Sequence, residues 1–280
     1  MKIAVILPAA GVGKRFAQSD ANSAATSKIE QDLGGRPVFL RAIELFLNRP
    51  NVGQIIIAVN PDAVDEFRFR WSDKLAFHGV TIVAGGRKER WETVLKALEA
   101  VQSGSTHAAI HDAARPLTSA ALIDRVFEAA AKYPAVIPGL PASATLKRVA
   151  PVDSPPQDAD PLDAIFGSAG KPTIHVQRVV ATVDRRDMVE VQTPQVFALD
   201  LLRRAYAQIT DGRLDPTGVT DDASLIEAMG EPVMVVEGES TNLKITRPPD
   251  LALASAFVAA QEQKHAIGLA KKRLFADEEE

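Results

Sequence analysis

Short apolar runs alternate with helix-length amphipathic segments along most of this chain, and this alternation restricts the folds that it can adopt. The β-forming runs are Ile3–Leu7, Gln54–Val59, Val80–Val83, Ala108–Ile110, Ala135–Ile137 and Val233–Val236. The segments predicted to be helical are Val38–Leu47, Ala63–Phe77, Trp91–Gln102, Ala120–Lys132, Ala198–Gln208, Asp222–Met229 and Leu251–Ala266. Strands that alternate with helices predict an α/β fold with a doubly wound, mostly parallel, Rossmann-like sheet. At 280 residues the chain can bury a large core, and we expect one domain over 1–280.

Two regions depart from the alternation. Residues 152–172 are rich in Pro, Asp, Ser, Gly and Ala, which predicts an exposed loop. The β-rich flanks of this loop, Ser143–Ala150 and Thr173–Val183, are predicted to pair as a β-arm that projects from the main domain within residues 140–190. The chain ends in a basic and then acidic stretch, so residues 267–280 are expected to form a flexible tail.

The composition of the chain excludes several classes of binding partner and of chemistry. A net charge of −4 is unlike that of a general nucleic-acid binder, so a site for a polyanion must be a local basic pocket. The absence of cysteine excludes disulfides, thiolate nucleophiles and Cys-ligated zinc, and fits a reducing cytoplasm. No stretch approaches the roughly 20 apolar residues of a membrane span. We therefore expect a cytoplasmic protein with neither nucleic acid nor membrane as a partner.

A glycine-containing loop directly follows the first apolar run. Gly11 and Gly13 permit close approach of backbone N–H groups to phosphate oxygens, while Lys14 and Arg15 oppose the negative charge. The loop is neither a P-loop nor a complete Gly-x-Gly-x-x-Gly fingerprint, and an ordinary strand-to-helix turn is the alternative. Its position at the carboxyl end of a strand favours a nucleotide site.

A second polar cluster follows the run Ala108–Ile110. Asp112 and Arg115 there emerge at the carboxyl end of another strand, where an acid can bind a ribose hydroxyl or help to hold magnesium. The alternative is an Asp–Arg pair that only pins the loop, and His111 is interpreted as structural.

Further clusters complete the set. Gly85 and Gly86 precede a predicted helix whose first N–H groups could receive an anion or a base edge; a plain β-to-α turn is the alternative. Lys244 lies among β-forming residues, so its ammonium is directed either to a pocket or to solvent. Thr220 or Asp221 is predicted to cap a helix, with phosphate binding by Thr220 as the alternative.

Taken in chain order, these motifs resemble the 2-C-methyl-D-erythritol 4-phosphate cytidylyltransferases of the non-mevalonate isoprenoid pathway. The resemblance extends over nearly the whole chain. It rests on Pro8-Ala-Ala-Gly-Val-Gly-Lys-Arg15, Gly85-Gly86 with Arg90 and Thr93, His111-Asp-Ala-Ala-Arg-Pro116, Thr145-Leu-Lys147, Val183-Asp-Arg185, Thr193-Pro-Gln195, Thr220-Asp221 and Asn242-Leu-Lys-Ile-Thr-Arg-Pro248.

The resemblance implies a reaction in which a polyol phosphate attacks the α-phosphorus of CTP and releases pyrophosphate. It assigns stabilisation of transition-state charge to Arg15 and Lys28, and positioning of the attacking phosphate to Arg185 and Lys244. It implies magnesium, or another divalent cation, held mainly by the CTP phosphates with Asp112 at most a partial ligand. Family members are homodimers that exchange arms, so Thr145 and Arg185 are expected to enter the neighbouring subunit's site.

The resemblance also assigns binding residues. Those expected around the nucleotide are Ala9, Ala10, Gly11, Gly13, Gly86, Arg90, Thr93 and Asp112. Those expected around the polyol phosphate are Arg115, Thr145, Arg185, Thr193, Thr220 and Lys244.

The chain departs from the family pattern before Lys28. The segment between Arg15 and Lys28 is longer than usual, and Ser27 stands where the family typically has proline. The alternative substrates are ribitol 5-phosphate or another polyol phosphate, and a sugar-1-phosphate nucleotidyltransferase is a more distant alternative. A non-catalytic nucleotide sensor is the alternative of another class, but it has no need of cations directed at both reactants.

Overall fold

The computed structural model describes residues 1–11, 16, 27–152 and 176–276, which divide into two compact units. The first unit consists of Met1–Leu140 and Val191–Glu280, and the second of Pro141–Glu190. Gly13, Lys14 and Arg15 lie outside the described residues, as do most of the predicted 152–172 loop and residues 277–280.

The first unit contains a mostly parallel sheet, which confirms the predicted fold class. Its strands are β1 (Ile3–Ala9), β2 (Val52–Val59), β3 (Val80–Ala84), β4 (His107–Ile110), β5 (Ala135–Pro141), β9 (Gln195–Ala198) and β10 (Met234–Glu237). They lie in the order β10-β5-β9-β4-β1-β2-β3. The strand β9 was not predicted; it runs antiparallel to its neighbours β4 and β5. With four residues that follow a proline, it offers too short a pattern to be recognised from sequence.

Helices cover both faces of this sheet. The side chains of β1 are buried on both faces and show why this cover is needed. Ile3, Val5 and Leu7 contribute to one hydrophobic cluster, whereas Ala4 and Ile6 belong to another. Because successive side chains of a strand point to opposite faces, the sheet is buried on both sides, as in a doubly wound fold. The helices are α1 (Val38–Glu44), α2 (Val64–Phe77), α3 (Arg90–Glu99), α4 (Ala120–Ala130), α5 (Leu199–Thr210), α6 (Ala223–Ala228) and α7 (Pro248–Ala276).

The observed helices match the predicted segments closely except at the end of the chain. Residues 267–276, expected to form part of a flexible tail, are helical and belong to α7. A single 3-10 turn, Lys28–Glu30, precedes α1 and was not predicted.

The second unit is built on a two-stranded antiparallel sheet. Its strands β6 (Leu146–Pro151) and β7 (Gln177–Val183) pair from Leu146 opposite Val183 to Pro151 opposite Gln177, with a register shift between Arg148 and Val149. The paired residues lie within the two β-rich flanks, and the projection of these flanks as an arm stays a prediction. A short strand, β8 (Val189–Val191), spans the boundary at which the second unit ends and the first resumes.

Candidate functional site

The strand order of the first unit reverses between β1 and β4. From β1 the chain continues outward through β2 and β3, whereas β4 lies on the other side of β1. At such a reversal the carboxyl ends of two parallel strands diverge and leave a crevice that binds ligands. A cavity of about 700 Å³ opens there. Its lining comprises Pro8, Ala9, Ala10, Gly11, Phe16, Lys28, Ile29, Gly86, Arg87, Lys88, Glu89, Arg90, Thr93, Asp112, Ala113, Ala114, Lys244 and Thr246. We call this cavity the switch-point pocket.

The carboxylate of Asp112 is the centre of a group of charges in this pocket. Its Oδ2 lies 2.8 Å from the Lys244 ammonium and 3.4 Å from Arg115 Nε, and its Oδ1 lies 3.7 Å from Arg90 Nε. Burial opposes ionisation of Asp112, but the three cations outweigh burial and hold its pKa well below the ordinary range. Asp112 is therefore ionised at neutral pH and fixes the directions of the cations around it.

Hydrogen bonds of His111 and Thr193 stabilise the loop that carries Asp112. The Thr193 hydroxyl accepts a hydrogen bond from the Asp112 backbone N–H at 3.1 Å and lies 3.1 Å from His111 Nδ1. His111 Nε2 lies 3.0 Å from the Arg115 carbonyl oxygen. Burial lowers the pKa of His111 to about 4, so the ring is neutral and donates from Nε2 while Nδ1 accepts from Thr193. These contacts agree with the structural role predicted for His111, and they give Thr193 a supporting role.

Lys244 is directed at Asp112 because the segment around it is fastened to the same loop. The buried Asn242 amide donates to the Thr193 carbonyl at 2.8 Å, and its Oδ1 accepts from the Thr118 hydroxyl at 2.8 Å. The Asn242 carbonyl accepts from Arg115 Nη1 at 2.6 Å. Arg115 is thus committed to the support of the loop and is not among the residues that line the pocket. Lys244 lines it, which resolves the choice between pocket and solvent in favour of the pocket.

Arg90 is held between two acids. Its Nη1 lies 2.6 Å from Oδ2 of Asp222, a carboxylate with no solvent exposure, and the Tyr206 hydroxyl donates to Asp222 Oδ1 at 2.6 Å. Burial opposes the charge of Arg90, but Asp222 and Asp112 outweigh it and raise its pKa above the ordinary value. Sequence reasoning missed Asp222 and Tyr206, because neither stands in a motif whose spacing indicates contact with Arg90.

The loop after β3 brings Gly86 against the first turn of α3. Gly86 N–H donates to the Thr93 hydroxyl at 3.1 Å, and a Cβ added at Gly86 would lie 2.2 Å from Glu92 Cβ and 2.9 Å from Thr93 N. The close backbone approach predicted for this glycine is therefore present, although its immediate partner is the helix.

Glu92, in the first turn of α3, closes the loop that precedes the helix. Glu92 Oε2 accepts from the backbone N–H groups of Arg87 and Lys88 at 3.1 and 3.0 Å, and Glu89 and Glu92 form a capping box. Of the N–H groups of α3, the capping box engages that of Glu92, which the Glu89 side chain accepts. The N–H groups of Arg87 and Lys88 belong to the loop before α3, so the expectation that the first N–H groups of the helix receive an anion or a base edge stays a prediction.

Lys28 reaches the pocket from a different segment. It lies in the 3-10 turn Lys28–Glu30, and its Nζ donates to the Ile245 carbonyl oxygen at 3.3 Å. Ile245 N–H in turn donates to the Ala114 carbonyl at 2.9 Å, so the turn, the Lys244 segment and the Asp112 loop are linked. The predicted residues that line the pocket together are Ala9, Ala10, Gly11, Lys28, Gly86, Arg90, Thr93, Asp112 and Lys244.

Other predicted residues lie elsewhere. Thr220 is exposed and does not line the pocket. The N-cap of α6 is Asp222 and not Thr220 or Asp221, although the Asp221 carboxylate accepts the Ser224 N–H at 3.1 Å. Thr145 and Arg185 belong to the second unit, where both are exposed and Arg185 donates to the Ser143 carbonyl.

The described residues of the pocket form no metal site of their own. Within the described residues, no group of three or more His, Cys, Asp or Glu side chains is placed to hold a metal ion. Asp112 is already paired with Lys244, Arg115 and Arg90, so its carboxylate does not fit the role of a principal magnesium ligand. None of the helices in the described part of the chain is long and apolar enough to cross a membrane.

Comparisons with known proteins agree on one family. The family model for 2-C-methyl-D-erythritol 4-phosphate cytidylyltransferase matches residues 3–154 and 169–260. A protein of that name from Solibacter usitatus is 35% identical over 268 residues, with 95% of this chain and 100% of the relative covered. One from Frankia casuarinae is 38% identical over 259 residues, with 92% of this chain and 82% of the relative covered.

Solved structures give the same result. The 2-C-methyl-D-erythritol 4-phosphate cytidylyltransferase of Thermus thermophilus superimposes with a TM-score of 0.66 at 30% identity, covering 92% of this chain and 100% of the other. The 4-diphosphocytidyl-2C-methyl-D-erythritol synthase of Anaerococcus prevotii superimposes with a TM-score of 0.68 at 25% identity, covering 92% and 98%.

Proposed function

This chain belongs to the 2-C-methyl-D-erythritol 4-phosphate cytidylyltransferase family, and we propose that the switch-point pocket is its active site. The enzyme is a nucleotidyltransferase: it transfers a cytidylyl group from CTP to 2-C-methyl-D-erythritol 4-phosphate in isoprenoid biosynthesis and releases pyrophosphate. The observation that supports the location is the convergence of Lys28, Arg90 and Lys244 on one pocket beside the ionised Asp112.

The proposed chemistry requires two anions to meet. An oxygen of the substrate phosphate attacks the α-phosphorus of CTP, a new P–O bond forms, and the bond to the leaving pyrophosphate breaks. Fixed cations reduce the repulsion between the reactants and stabilise the charge that develops in the transition state. Lys28 and Lys244 are suited to this because each is anchored, Lys28 on the Ile245 carbonyl and Lys244 on Asp112. Arg15, which lies outside the described residues, is proposed to act with Lys28.

The base-binding part of the pocket is proposed to lie between β1 and α3. Ala9, Ala10, Gly86 and Thr93 line it, and they provide mostly backbone groups and small side chains. Such a surface admits a flat ring and can match the hydrogen-bonding pattern of cytosine.

We further propose a homodimer in which the second unit of one subunit completes the pocket of its partner. The support is the surface of that unit: Val176, Val179 and Val180 are 64%, 56% and 55% exposed. A two-stranded hairpin is marginally stable by itself, and exposed apolar side chains favour contact with another surface. Thr145 and Arg185 would then reach the attacking phosphate in the neighbouring subunit.

The divalent cation and the cytoplasmic location expected from the sequence stay predictions. Since the described carboxylates form no metal site, a magnesium ion would be bound mainly by the triphosphate oxygens of CTP, whose charge it would neutralise. The protein residues that would lie nearest are those of the switch-point pocket.

Pyrophosphate release, measured with CTP, UTP or ATP and a panel of polyol phosphates, tests the function. We expect CTP with 2-C-methyl-D-erythritol 4-phosphate to be preferred by orders of magnitude, because buried groups that match cytosine are left unpaired by uracil. Faster turnover of ribitol 5-phosphate would support the alternative substrate. Binding of CTP without turnover of any polyol phosphate would support the nucleotide sensor and contradict the proposed reaction.

A further inference from the structure

Glu30 is a largely buried acid near the pocket that faces away from it. Its side chain is 8% exposed, and its Oε1 accepts the indole N–H of Trp71 at 3.0 Å and lies 3.0 Å from Arg70 Nη2. Both partners belong to α2, which contributes no residue to the lining of the pocket. The chemistry assigned to the pocket gives Glu30 no role.

Glu30 nevertheless shares a rigid turn with Lys28. The Glu30 N–H donates to the Ser27 carbonyl at 2.8 Å and closes the 3-10 turn, and Ile29 between the two residues is 6% exposed and packs in the core. With three residues per turn, side chains two positions apart project roughly 120° from each other. One side of the turn can therefore present Lys28 to the pocket while the other is bound to α2.

The partner of Glu30 is itself fixed. The Trp71 ring packs edge-on against Phe39 with a centroid distance of 5.2 Å, and the Lys74 ammonium lies 5.4 Å from the Trp71 ring. Phe39 is fully buried and also contacts Phe67, with the ring centroids 5.2 Å apart. The indole N–H is thus held by the hydrophobic core, so Glu30 is bound to a rigid donor.

We propose that Glu30 is a positioning residue for Lys28: its hydrogen bond to Trp71 and its ion pair with Arg70 fasten the turn that directs the Lys28 ammonium into the pocket. This inference rests on the proposed function, in which Lys28 stabilises transition-state charge.

A double-mutant cycle tests the proposal, with kcat and KM for CTP measured in each variant. Lys28→Met is expected to lower kcat about 10²–10³-fold, the usual effect of removing a fixed cation from a developing oxyanion. Glu30→Ala in the natural background is expected to lower kcat roughly 10-fold or more, because misplacement of a catalytic group by about 1 Å can cost up to 10²-fold. In the Lys28→Met background the same Glu30→Ala change is expected to have little further effect, since the residue that it positions is absent.

Matched variants separate positioning from stability. Glu66→Ala removes the other acid that pairs with Arg70, at 3.5 Å, but leaves the turn untouched, so its kcat should equal that of the natural protein. Glu30→Gln keeps an oxygen acceptor for Trp71 and should retain more activity than Glu30→Ala, while Trp71→Phe removes the donor but keeps an aromatic ring. If Glu30→Ala does not fold, Glu30→Gln and Trp71→Phe complete the cycle in its place.

The two possible failures differ in their signature. If Lys28→Met retained full activity, the catalytic role of Lys28 would be wrong and the positioning role of Glu30 with it. If Lys28→Met were impaired but Glu30→Ala lowered kcat by the same factor in both backgrounds, or left kcat unchanged in the natural background, only the positioning role would be overturned.

Discussion

The carboxylate of Asp112 pairs with three cationic side chains at once. Asp112 is 8% exposed, and three cationic side chains lie within 4 Å of its oxygens. A buried ion that is removed from its partners leaves their charges uncompensated, which costs more than the loss of a surface pair. The stability of the fold and the geometry of the pocket therefore depend on the same carboxylate.

We expect Asp112→Asn to lower the free energy of unfolding by about 3–5 kcal/mol, because Lys244, Arg90 and Arg115 lose their shared anion. The measurement is urea denaturation at neutral pH, followed by circular dichroism. Asp124→Asn is the matched control: its carboxylate pairs with Arg49 but is 58% exposed, so its loss should cost no more than about 1 kcal/mol. Equal effects of the two substitutions would contradict the central role of Asp112.

His111 makes stability depend on pH in the acidic range. Its folded-state pKa of about 4 lies below the ordinary value of 6.5, so the unfolded chain binds a proton at a higher pH than the folded protein does. The contribution of His111 to the free energy of unfolding is fully present above pH 6.5. It is lost as the pH falls from 6.5 towards 4, and at 1.36 kcal/mol per pKa unit the loss is roughly 3 kcal/mol. Asp112, whose folded-state pKa lies well below the ordinary range, contributes its own pH dependence at lower pH than this window.

We expect His111→Asn to flatten the dependence of unfolding free energy on pH between pH 4 and 6.5, although the variant is less stable at neutral pH. Urea denaturation of both proteins at several pH values in this interval measures the two slopes. The same slope in both proteins would show that His111 is not the group that titrates.

At the scale of elements, the loop from β3 to α3 shows how a glycine position serves packing and binding together. Gly86 lies where a Cβ would overlap Glu92 and crowd the Thr93 backbone. The same turn of α3 is closed by Glu92, which accepts the N–H groups of Arg87 and Lys88. A side chain at residue 86 must displace this turn, and with it one wall of the pocket.

Gly86→Ala is therefore expected to lower the free energy of unfolding by about 1–3 kcal/mol and to weaken CTP binding. Gly11→Ala is the control for stability, because a Cβ at Gly11 meets no atom of the described residues within 4 Å and should leave the unfolding midpoint nearly unchanged. Denaturation and calorimetric titration with CTP give the two quantities. A stable Gly86→Ala variant with undiminished CTP affinity would show that the turn accommodates the methyl group.

At the scale of the whole molecule, the residues assigned to the attacking phosphate are divided between the two units. Lys244 lines the pocket of the first unit, while Thr145 and Arg185 are exposed on the second. The proposed homodimer explains this division if each pocket takes Arg185 from the partner subunit. It also explains why the second unit carries valines that are more than half exposed.

Mixing of two inactive variants tests the shared pocket. If Lys28→Met and Arg185→Met subunits pair at random, half of the dimers are mixed, and each mixed dimer holds one pocket with both defects and one with neither. About a quarter of the natural activity should then return after the variants are refolded together. Were Arg185 to act within its own subunit, every pocket would carry a defect, and confirmed mixed dimers would stay inactive.

The sequence by itself determined the fold class and the family. Runs such as Ile3–Leu7 and segments such as Ala63–Phe77 show their periodicity within a few neighbouring residues, so strands and helices could be predicted locally. The order of the short motifs identified the family, and most residues predicted to surround the nucleotide line one pocket in the first unit. Each of these signals is contained in contiguous sequence.

Only the tertiary structure decided which charged side chains find a partner and which residue that partner is. Arg90 is held by Asp222 and Glu30 by Trp71, pairs that are far apart in the chain and have no spacing that predicts contact. The contacts of Glu92 show the same limit, because the folded loop brings its carboxylate to the backbone N–H groups of Arg87 and Lys88. The physical reason is that local conformation depends on neighbouring residues, whereas burial and charge pairing depend on which distant segments the core brings together.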